Sequence, residues 1–336
     1  MRAFDLSPRA PHRFATLAIF ALLLSGCGNA PTDPAANRVT ASALRAEIDA
    51  GRGPSGGGPP ASLFYPLEVG NHWGYDHSFS VYIIPTGGPP GPVQGVNDRV
   101  IRDLVCVEHR LGHDYTVEQV QYQGAPPWWV RYRQDGSGLF EADVEVTNPP
   151  LCAGPAGRRI FDAKAAPARA DERVWASVAA KIADPAKQVA YRAAWDRVQA
   201  RIAAARQAIG ITARSLPRAA AGVEPGEITR LEYPLHPGAH WVVRANPSFG
   251  SIVEGTDALD LEVGLLPAWR IRVGNEFLGP EDRILTWYGR SGMLKLEGHF
   301  EGSATDEAGN EIGRVIADES AVLTDLALGG GRFAGH

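Results

Sequence analysis

Hydrophobic and polar residues alternate along the chain from Trp73 to Ile83, which is the pattern of a β-strand with one buried face. Large, mostly apolar side chains occupy every second position of this stretch, and glycine, aspartate and serine fill the first positions between them. A period of two places successive side chains on opposite faces of a sheet. Similar short stretches, rich in aromatic and β-branched residues, predict further strands at 99–108, 115–122, 128–133, 139–146, 259–263, 269–273 and 284–288.

The region from 171 to 210 has a different period and is rich in alanine and arginine. Apolar residues recur along it at spacings of three, four and seven, as in one face of a helix: Val174, Val178, Ile182, Tyr191, Trp195, Val198, Ile202 and Ile209. In the middle, Asp184 and Pro185 are the residue types preferred at a helix N-cap and in the first helical turn. The sequence therefore predicts two helices, at about 171–183 and 185–210.

One short pattern occurs twice, and its second copy begins half a chain length after the first. Both copies read Tyr-Pro-Leu, two residues, Gly, two residues, Trp. They comprise Tyr65, Pro66, Leu67, Gly70 and Trp73 in one copy and Tyr233, Pro234, Leu235, Gly238 and Trp241 in the other. In these two Tyr-Pro-Leu segments, proline extends the residue before it, glycine supplies a turn, and tryptophan is the first large side chain of the buried face. The pattern indicates a structural role at the start of a strand and not a catalytic one.

These patterns together predict an α+β fold. It consists of two antiparallel β units, at 62–147 and 228–328, with a loop and helical segment at 148–227 between them and a tail at 329–336. Each unit is expected to be a curved meander, because its short strands are joined by turns. The Tyr-Pro-Leu segment at the start of both units favours an internal duplication, and the alternative is that it starts two unrelated strands.

The N-terminus has the features of a secretory signal peptide. Three arginines precede an apolar run, 14–24, that is too short to cross a membrane as a helix. The run ends in Leu24-Ser25-Gly26-Cys27, which resembles the lipobox of bacterial lipoproteins. The resemblance implies cleavage before Cys27 and attachment of lipid to its sulfur, so that residues 1–26 are the signal peptide. An ordinary secretory signal with a chance cysteine is the alternative.

The lipobox resemblance also implies a location in the cell envelope and contact with the membrane through the lipid. Gly28 follows Cys27, and in enterobacterial lipoproteins a residue other than aspartate here implies sorting to the outer membrane, facing the periplasm. Residues 27–61 are rich in alanine, proline, glycine and serine and are predicted to be a flexible tether. The Tyr-Pro-Leu segments resemble the start of the folded region in uncharacterised envelope lipoproteins, which implies no chemistry.

The charge and the cysteine content of the chain indicate which cellular environment and which partners to expect. The formal net charge is −5, and removing residues 1–26, with three arginines and one aspartate, changes it by −2 to −7. A mildly acidic chain without a basic run has no electrostatic basis for binding nucleic acid. Once Cys27 carries lipid, Cys106 and Cys152 remain. In an oxidising compartment this pair predicts one disulfide bond, and two free thiols are the alternative.

No pattern in the sequence points to a catalytic, metal or cofactor site. His109 and His113 have the spacing of helical zinc ligands, but the surrounding alternation predicts a hairpin, where that spacing does not bring two imidazoles together. Acidic residues between Glu254 and Glu262 alternate with apolar ones near the end of the stretch and are expected on the wet face of a strand. The sequence has no nucleophile elbow, phosphate loop or dinucleotide fingerprint. We therefore expect no enzyme, and a periplasmic hydrolase is the least favoured function.

Two functions remain, and they place different demands on the interior of the protein. Six of the eight tryptophans lie on or beside predicted strands, namely Trp73, Trp128, Trp129, Trp241, Trp269 and Trp287. In a half-open sheet they would line a cavity for an apolar or lipid ligand, with the helices as its cover. This combination of elements resembles, at the level of fold only, the lipoprotein carriers and receptors of the periplasm. The alternative is a structural or interaction protein with filled cores, which contacts envelope proteins through the loop at 85–98 and the segment 148–170.

Overall fold

The computed structural model describes the chain from residue 64 onward, with gaps at 111, 143–149, 151, 153–169, 210–226, 246–247, 275–277, 330 and 335–336. Residues 1–63, which carry the signal-peptide, Cys27 and tether predictions, lie outside the described residues. The described residues form thirteen strands and two helices. The strands are β1 (His72–Pro85), β2 (Gln94–Arg110), β3 (His113–Tyr122), β4 (Trp128–Asp135), β5 (Gly138–Ala142), β6 (Glu227–Glu232), β7 (His240–Ala245), β8 (Ser248–Leu261), β9 (Gly264–Gly274), β10 (Arg283–Gly289), β11 (Gly292–Thr305), β12 (Glu311–Leu328) and β13 (Gly331–Ala334), and the helices are α1 (Ala170–Ala179) and α2 (Pro185–Ala208).

All of these strands belong to one antiparallel sheet. Its order is β6-β5-β4-β3-β2-β1-β12-β11-β10-β9-β8-β7, and β13 pairs with β12 beside this path. Strands β1–β6 form one six-stranded meander and β7–β12 form another. The meanders join where β1 pairs with β12, from His72 opposite Ala327 to Pro85 opposite Gly313. The edge strands β6 and β7 are consecutive strands and lie side by side, so the sheet curves until it is nearly closed.

The predicted α+β fold with two β units is therefore wrong. The structure is mostly β, and strands from both halves of the chain share one sheet and one main hydrophobic core. Alternation of apolar and polar residues along a strand indicates that one face is buried, but it does not indicate which strand is the neighbour in the sheet. Trp73, for example, lies opposite Leu326, and no local pattern at either residue specifies that partner.

The face of the sheet that contacts the helices is its inner face. On β1 this face carries the alternating residues of the sequence pattern, all of them buried: Trp73, Tyr75, His77, Phe79, Val81 and Ile83. On β11 and β12 the inner face includes several small residues instead: Gly298, Gly302, Ala304, Gly313, Ala317 and Ala321. Because small side chains leave space above the sheet, a helix backbone can approach these two strands closely.

Helix α2 occupies this space. A Cβ atom added at Gly302 would lie 2.6 Å from Val198 Cγ2 and 3.0 Å from the carbonyl oxygen of Ala194, so α2 lies directly on β11. Trp195 of α2 is fully buried, and its ring stacks on Trp175 of α1 with centroids 5.2 Å apart. Helix α1 in turn contacts β1 and β2. The helix pair thus forms part of the core of the sheet.

Asp184 caps the N-terminus of α2, as the sequence predicts. Its Oδ1 atom accepts hydrogen bonds from the backbone N–H groups of Ala186 and Lys187, at 2.9 and 3.4 Å. Such bonds satisfy donors that have no partner inside a helix. Neither helix in the described part of the chain has the length and hydropathy needed to cross a membrane.

The cysteine pair that the sequence predicts is bonded. A disulfide joins Cys106 on β2 to Cys152, which is 46 residues further along the chain. It fixes a residue of the segment after β5 to the middle of the first meander. In the chain-entropy model, a loop of this length gives about 4 kcal/mol of stabilisation.

Candidate functional site

The two Tyr-Pro-Leu segments form turns with the same backbone hydrogen bonds. Gly70 N–H donates to the carbonyl oxygen of Leu104 on β2, and Gly238 N–H donates to that of Val253 on β8, both at 2.8 Å. Asn71 and Ala239 follow the two glycines. Their carbonyl oxygens accept hydrogen bonds from the N–H groups of Leu104 and Val253, at 2.9 and 2.8 Å. Both glycines have a positive φ, 97° and 85°, which a residue with a Cβ atom resists. From the glycine onward the segments therefore begin β1 and β7 in the same way, whereas the Tyr233-Pro234 peptide bond is cis and the Tyr65-Pro66 bond is trans.

The side chains of these segments belong to the core. Trp73 Nε1 donates to the carbonyl oxygen of Ser291 at 2.5 Å, and Tyr65 donates its hydroxyl proton to Glu118 at 2.6 Å. Trp241 is also buried, and its Nε1 has no hydrogen-bond partner among the described residues. None of these contacts places a reactive group at the surface, so the geometry of the segments is that of a packed strand start.

A chain of buried charged side chains connects the sheet to the helices. His77 on β1 bonds to Asp98 through Nδ1 at 2.6 Å and to Glu319 through Nε2 at 2.9 Å. Arg206 of α2 donates from Nε to both carboxylate oxygens of Glu319, at 2.9 and 3.1 Å. Arg206 also pairs with Asp171 of α1 at 3.4 Å. We call these five side chains the buried ion chain.

The opposite charges in the buried ion chain stabilise the ionised forms of their neighbours. Burial lowers the pKa of His77, but its hydrogen bonds to Asp98 and Glu319 outweigh burial and raise that pKa to about 9. Burial raises the pKa of Glu319, but the charge of Arg206 and the bond from His77 lower it to about 2. At neutral pH, His77 is thus a cation between two carboxylates, and it donates through both ring nitrogens.

A second buried polar group combines side chains of β2, β3 and β4 with Tyr65, which precedes β1. We call it the Arg102 cluster: Arg102, Glu118, Tyr65 and Tyr132. Arg102 Nη2 donates to Glu118 Oε2 at 2.5 Å and to the Tyr132 hydroxyl at 3.3 Å. Burial lowers the pKa of Arg102, but the charge of Glu118 raises it further, and the net direction is upward. The guanidinium therefore stays charged inside the sheet, held by its carboxylate partner.

Among the residues that the structure describes, a small cavity lies beside these two groups. Its volume is about 20 Å³, and His77, Arg102, Tyr75 and Tyr122 are among the inner-face residues that line it. This is room for one water molecule and not for a lipid. A larger, open cleft of about 630 Å³ lies at β7, β8, β9 and residues 278–282. The cleft is lined chiefly by the sheet edge, whereas the sequence pattern predicts a ligand between the sheet and the helices.

The remaining candidate residues form surface pairs. His109 bonds to Asp114 at 2.9 Å across the exposed hairpin between β2 and β3. Asp257, in the acidic stretch on β8, accepts from Arg270 at 2.9 Å and from Trp287 Nε1 at 2.7 Å. Within the part of the chain that the structure describes, no group of three or more histidine, cysteine, aspartate or glutamate residues is arranged to hold a metal ion.

The buried ion chain was not predicted from the sequence, although three of its charged residues lie at positions of an otherwise apolar series. Arg206 falls between Ile202 and Ile209 on the apolar face of α2, and its side chain is mostly buried. His77 and Glu319 likewise occupy inward positions of strands whose neighbouring inward residues are apolar. A charged residue in an apolar series predicts a buried partner of opposite charge. The sequence does not identify that partner, because the pairs join distant segments.

Solved structures with distant similarity to this chain include two from bacteria. One, from Bacteroides fragilis, is provisionally described as an exported protein with a YmcC-like fold, with 8% identity, a TM-score of 0.28 and coverage of 79% of this chain and 99% of that one. The other, from Parabacteroides distasonis, is provisionally described as a lipoprotein, with 10% identity, a TM-score of 0.27 and coverage of 80% and 99%. At these TM-scores the similarity supports no argument about fold or function. No family model and no curated protein matches the chain.

Proposed function

We propose that this protein is a lipid-anchored protein of the bacterial envelope that acts through its outer surface and has a filled interior. The position of α2 is the observation that supports a filled interior. Val198 and Ala194 lie so close to Gly302 that not even a methyl group fits between helix and sheet without a shift. Such complementary packing is typical of a permanent core.

The anchoring part of the proposal rests on the residues Leu24-Ser25-Gly26-Cys27. Lipid on Cys27 would hold the folded part at a membrane, with residues 27–61 as the tether between them. The mature chain has a formal charge of −7, so its net charge gives no attraction to anionic lipid headgroups. Acyl chains would therefore supply the membrane affinity, at about 0.8 kcal/mol per buried methylene.

The ligand-binding function that the sequence favours is now the second candidate. A lipid between sheet and helices would require α2 to leave β11 and β12, which would separate Arg206 from Glu319. Breaking a buried ion pair by removing one partner costs about 3–5 kcal/mol. The ligand would have to supply this free energy in addition to replacing the apolar contacts of Trp195 and Val198.

Native mass spectrometry distinguishes the two candidates. The protein is extracted from membranes in a mild detergent and its mass is compared before and after denaturation. A filled interior predicts the same mass in both states, that of the chain with its acyl groups. A non-covalent apolar molecule lost on denaturation, and absent from a Gly302→Leu variant that still folds, would contradict it. Gly255→Leu, at a glycine of β8 where an added Cβ meets nothing within 4 Å, is the matched control for changes in detergent binding.

A further inference from the structure

The open cleft at β7, β8 and β9 has a volume of about 630 Å³, within the ~300–1,000 Å³ typical of sites for small molecules. Trp241 and Val273 are buried on the inner face of the sheet, so the residues beside them in sequence face outward. One of these, Val242, lines the cleft and is 62% exposed. We call the site, which residues 278–282 also line, the edge cleft.

Two glycines within strands line the edge cleft. Gly250 on β8 lies opposite both Gly274 on β9 and Val242 on β7, so the three residues share one face of the sheet. Neither glycine has the left-handed φ that favours this residue. A Cβ atom added at Gly250 would lie 3.5 Å from the nearest carbonyl oxygen, an ordinary contact. Since neither backbone geometry nor crowding requires them, these glycines indicate a place where a ligand approaches the backbone closely.

A guanidinium group lies beside the two glycines. Arg272 lines the edge cleft, its side chain is 49% exposed, and its Nη1 atom is 4.0 Å from the position of a Cβ atom added at Gly274. Its Nε donates to Glu254 at 2.8 Å, and Glu254 is not among the residues that line the cleft. This bond uses one of the five N–H donors of a guanidinium, so Arg272 can donate further hydrogen bonds to a ligand.

The acidic residue that lines the edge cleft does not cancel this positive charge. The carboxylate of Asp282 is fully buried and accepts from Arg201 of α2 at 2.6 Å. It also accepts from the backbone N–H groups of Gly279 and Glu301, at 2.8 and 2.9 Å. His240, the other titratable residue that the structure describes in this lining, is exposed. The accessible charge at the cleft is therefore positive, in a chain whose formal net charge is −5.

We infer that the edge cleft binds a small organic carboxylate that carries an apolar group. A guanidinium holds a carboxylate through two parallel hydrogen bonds, and one fixed positive charge suits a monoanion better than a phosphate group with its charge of about −2. Val242, Leu278 and Pro280 supply apolar surface in the same cleft. The inference rests on the proposal that the protein acts through its outer surface, and it requires neither the lipid anchor nor any space under α2.

An NMR titration of the full mature chain, 27–336, tests the site. Cys27→Ser makes the sample independent of lipid and detergent, so a failure here leaves the anchoring proposal untouched. The probes are 3-phenylpropionate and its neutral amide, 3-phenylpropionamide. We expect the carboxylate to shift the amide signals of Gly250 and Gly274 in a saturable way and the neutral amide to bind at least tenfold more weakly. The absence of a saturable shift, or equal affinity for the two probes, would overturn the inference.

Two pairs of variants locate the binding. Arg272→Gln should weaken binding of 3-phenylpropionate by about tenfold or more, because it removes charge-assisted hydrogen bonds. Arg270→Gln is the control: Arg270 also pairs with Glu254 but does not line the cleft, and its loss should leave the affinity unchanged. Equal affinities in these two variants would contradict the role of Arg272.

The second pair changes the shape of the edge cleft and not its charge. Gly250→Val places a side chain against the backbone in the cleft and should abolish binding. Gly255→Val, on the same strand at a position where an added Cβ meets nothing within 4 Å, should retain it. The amide spectrum of each variant shows that the chain is folded, and a folded Gly250→Val variant with unchanged affinity would place the carboxylate elsewhere and overturn the inference.

Discussion

Gly70 and Gly238 hold equivalent positions in the two meanders. Each has a positive φ, and each donates its N–H to the neighbouring strand at 2.8 Å. Three residues after each of them comes a tryptophan, Trp73 or Trp241, which is the second residue of β1 or β7. We propose that the two six-stranded meanders arose by duplication, and that the Tyr-Pro-Leu segments are the part of the sequence in which this is still visible.

Replacing either glycine tests the importance of these turns. Gly70→Ala and Gly238→Ala are each expected to lower the free energy of unfolding by about 1 kcal/mol, because a Cβ atom destabilises positive φ. No atom lies within 4 Å of a Cβ added at either site, so the effect comes from the backbone. Gly136→Ala, at an exposed glycine with nothing within 4 Å and an ordinary φ, is the control and should not destabilise. Urea denaturation measures all three, and unequal effects at Gly70 and Gly238 would count against equivalent turns.

The contact between α2 and β11 makes a second prediction. Gly302→Ala should destabilise the protein by about 1–3 kcal/mol, because the new methyl group meets Val198 and the backbone of Ala194. Adding Val198→Ala should recover part of the loss, so the double variant should be more stable than the sum of the single changes predicts. Gly255→Ala, which meets nothing within 4 Å, is the control. Strict additivity of the two changes would mean that helix and sheet are not in close contact.

The buried ion chain predicts a large cost for losing one charge. Arg206→Met is expected to lower the free energy of unfolding by about 3 kcal/mol or more, because it leaves Glu319 with fewer compensating charges in a buried site. The control is Arg192→Met: Arg192 pairs with Asp196 at the surface of the same helix, and such pairs contribute about 0–1 kcal/mol. Chemical denaturation of both variants measures the difference, and similar losses would contradict the role assigned to Arg206.

The raised pKa of His77 predicts a loss of stability at alkaline pH. Its pKa is about 9 in the folded protein against 6.5 for an unperturbed histidine. The stabilisation, about 3 kcal/mol, is therefore complete below pH 6.5 and is lost as pH rises through 9. The pKa values of His72 and His299 are also raised, so urea denaturation from pH 6 to pH 10 should show a smaller decline in His77→Gln than in the wild type. His72→Gln, which keeps His77, should retain most of the decline. An NMR titration in which His77 has an ordinary pKa would contradict the arrangement.

The sequence predicts local features of this fold better than its global arrangement. Alternation identifies the buried face of β1, and Asp184-Pro185 marks the start of α2, because both depend on residues close together in the chain. The pairing of β1 with β12 depends on residues such as Trp73 and Leu326 at opposite ends of the sequence. A pattern within one strand does not contain that information, which is why two separate units were expected where one sheet forms.

The same limit applies to the candidate site. His77, Glu319 and Arg206 each stand out as polar residues in an apolar series, so their burial could have been predicted one at a time. Their mutual contact could not, because it joins β1, β12 and α2. In contrast, the disulfide could be predicted, because Cys106 and Cys152 are the two cysteines that remain after Cys27.

If Cys27 carries lipid, the protein is retained at a membrane through that residue, and cell fractionation measures this retention. Cells that produce the wild type and Cys27→Ser are fractionated, with and without globomycin, which blocks removal of a lipoprotein signal peptide. We expect the wild type in the membrane fraction and an uncleaved form that accumulates with globomycin. We also expect the mass of the N-terminal peptide to include acyl chains on Cys27. Equal membrane retention of Cys27→Ser, with an unmodified Cys27 in the wild type, would contradict lipid attachment.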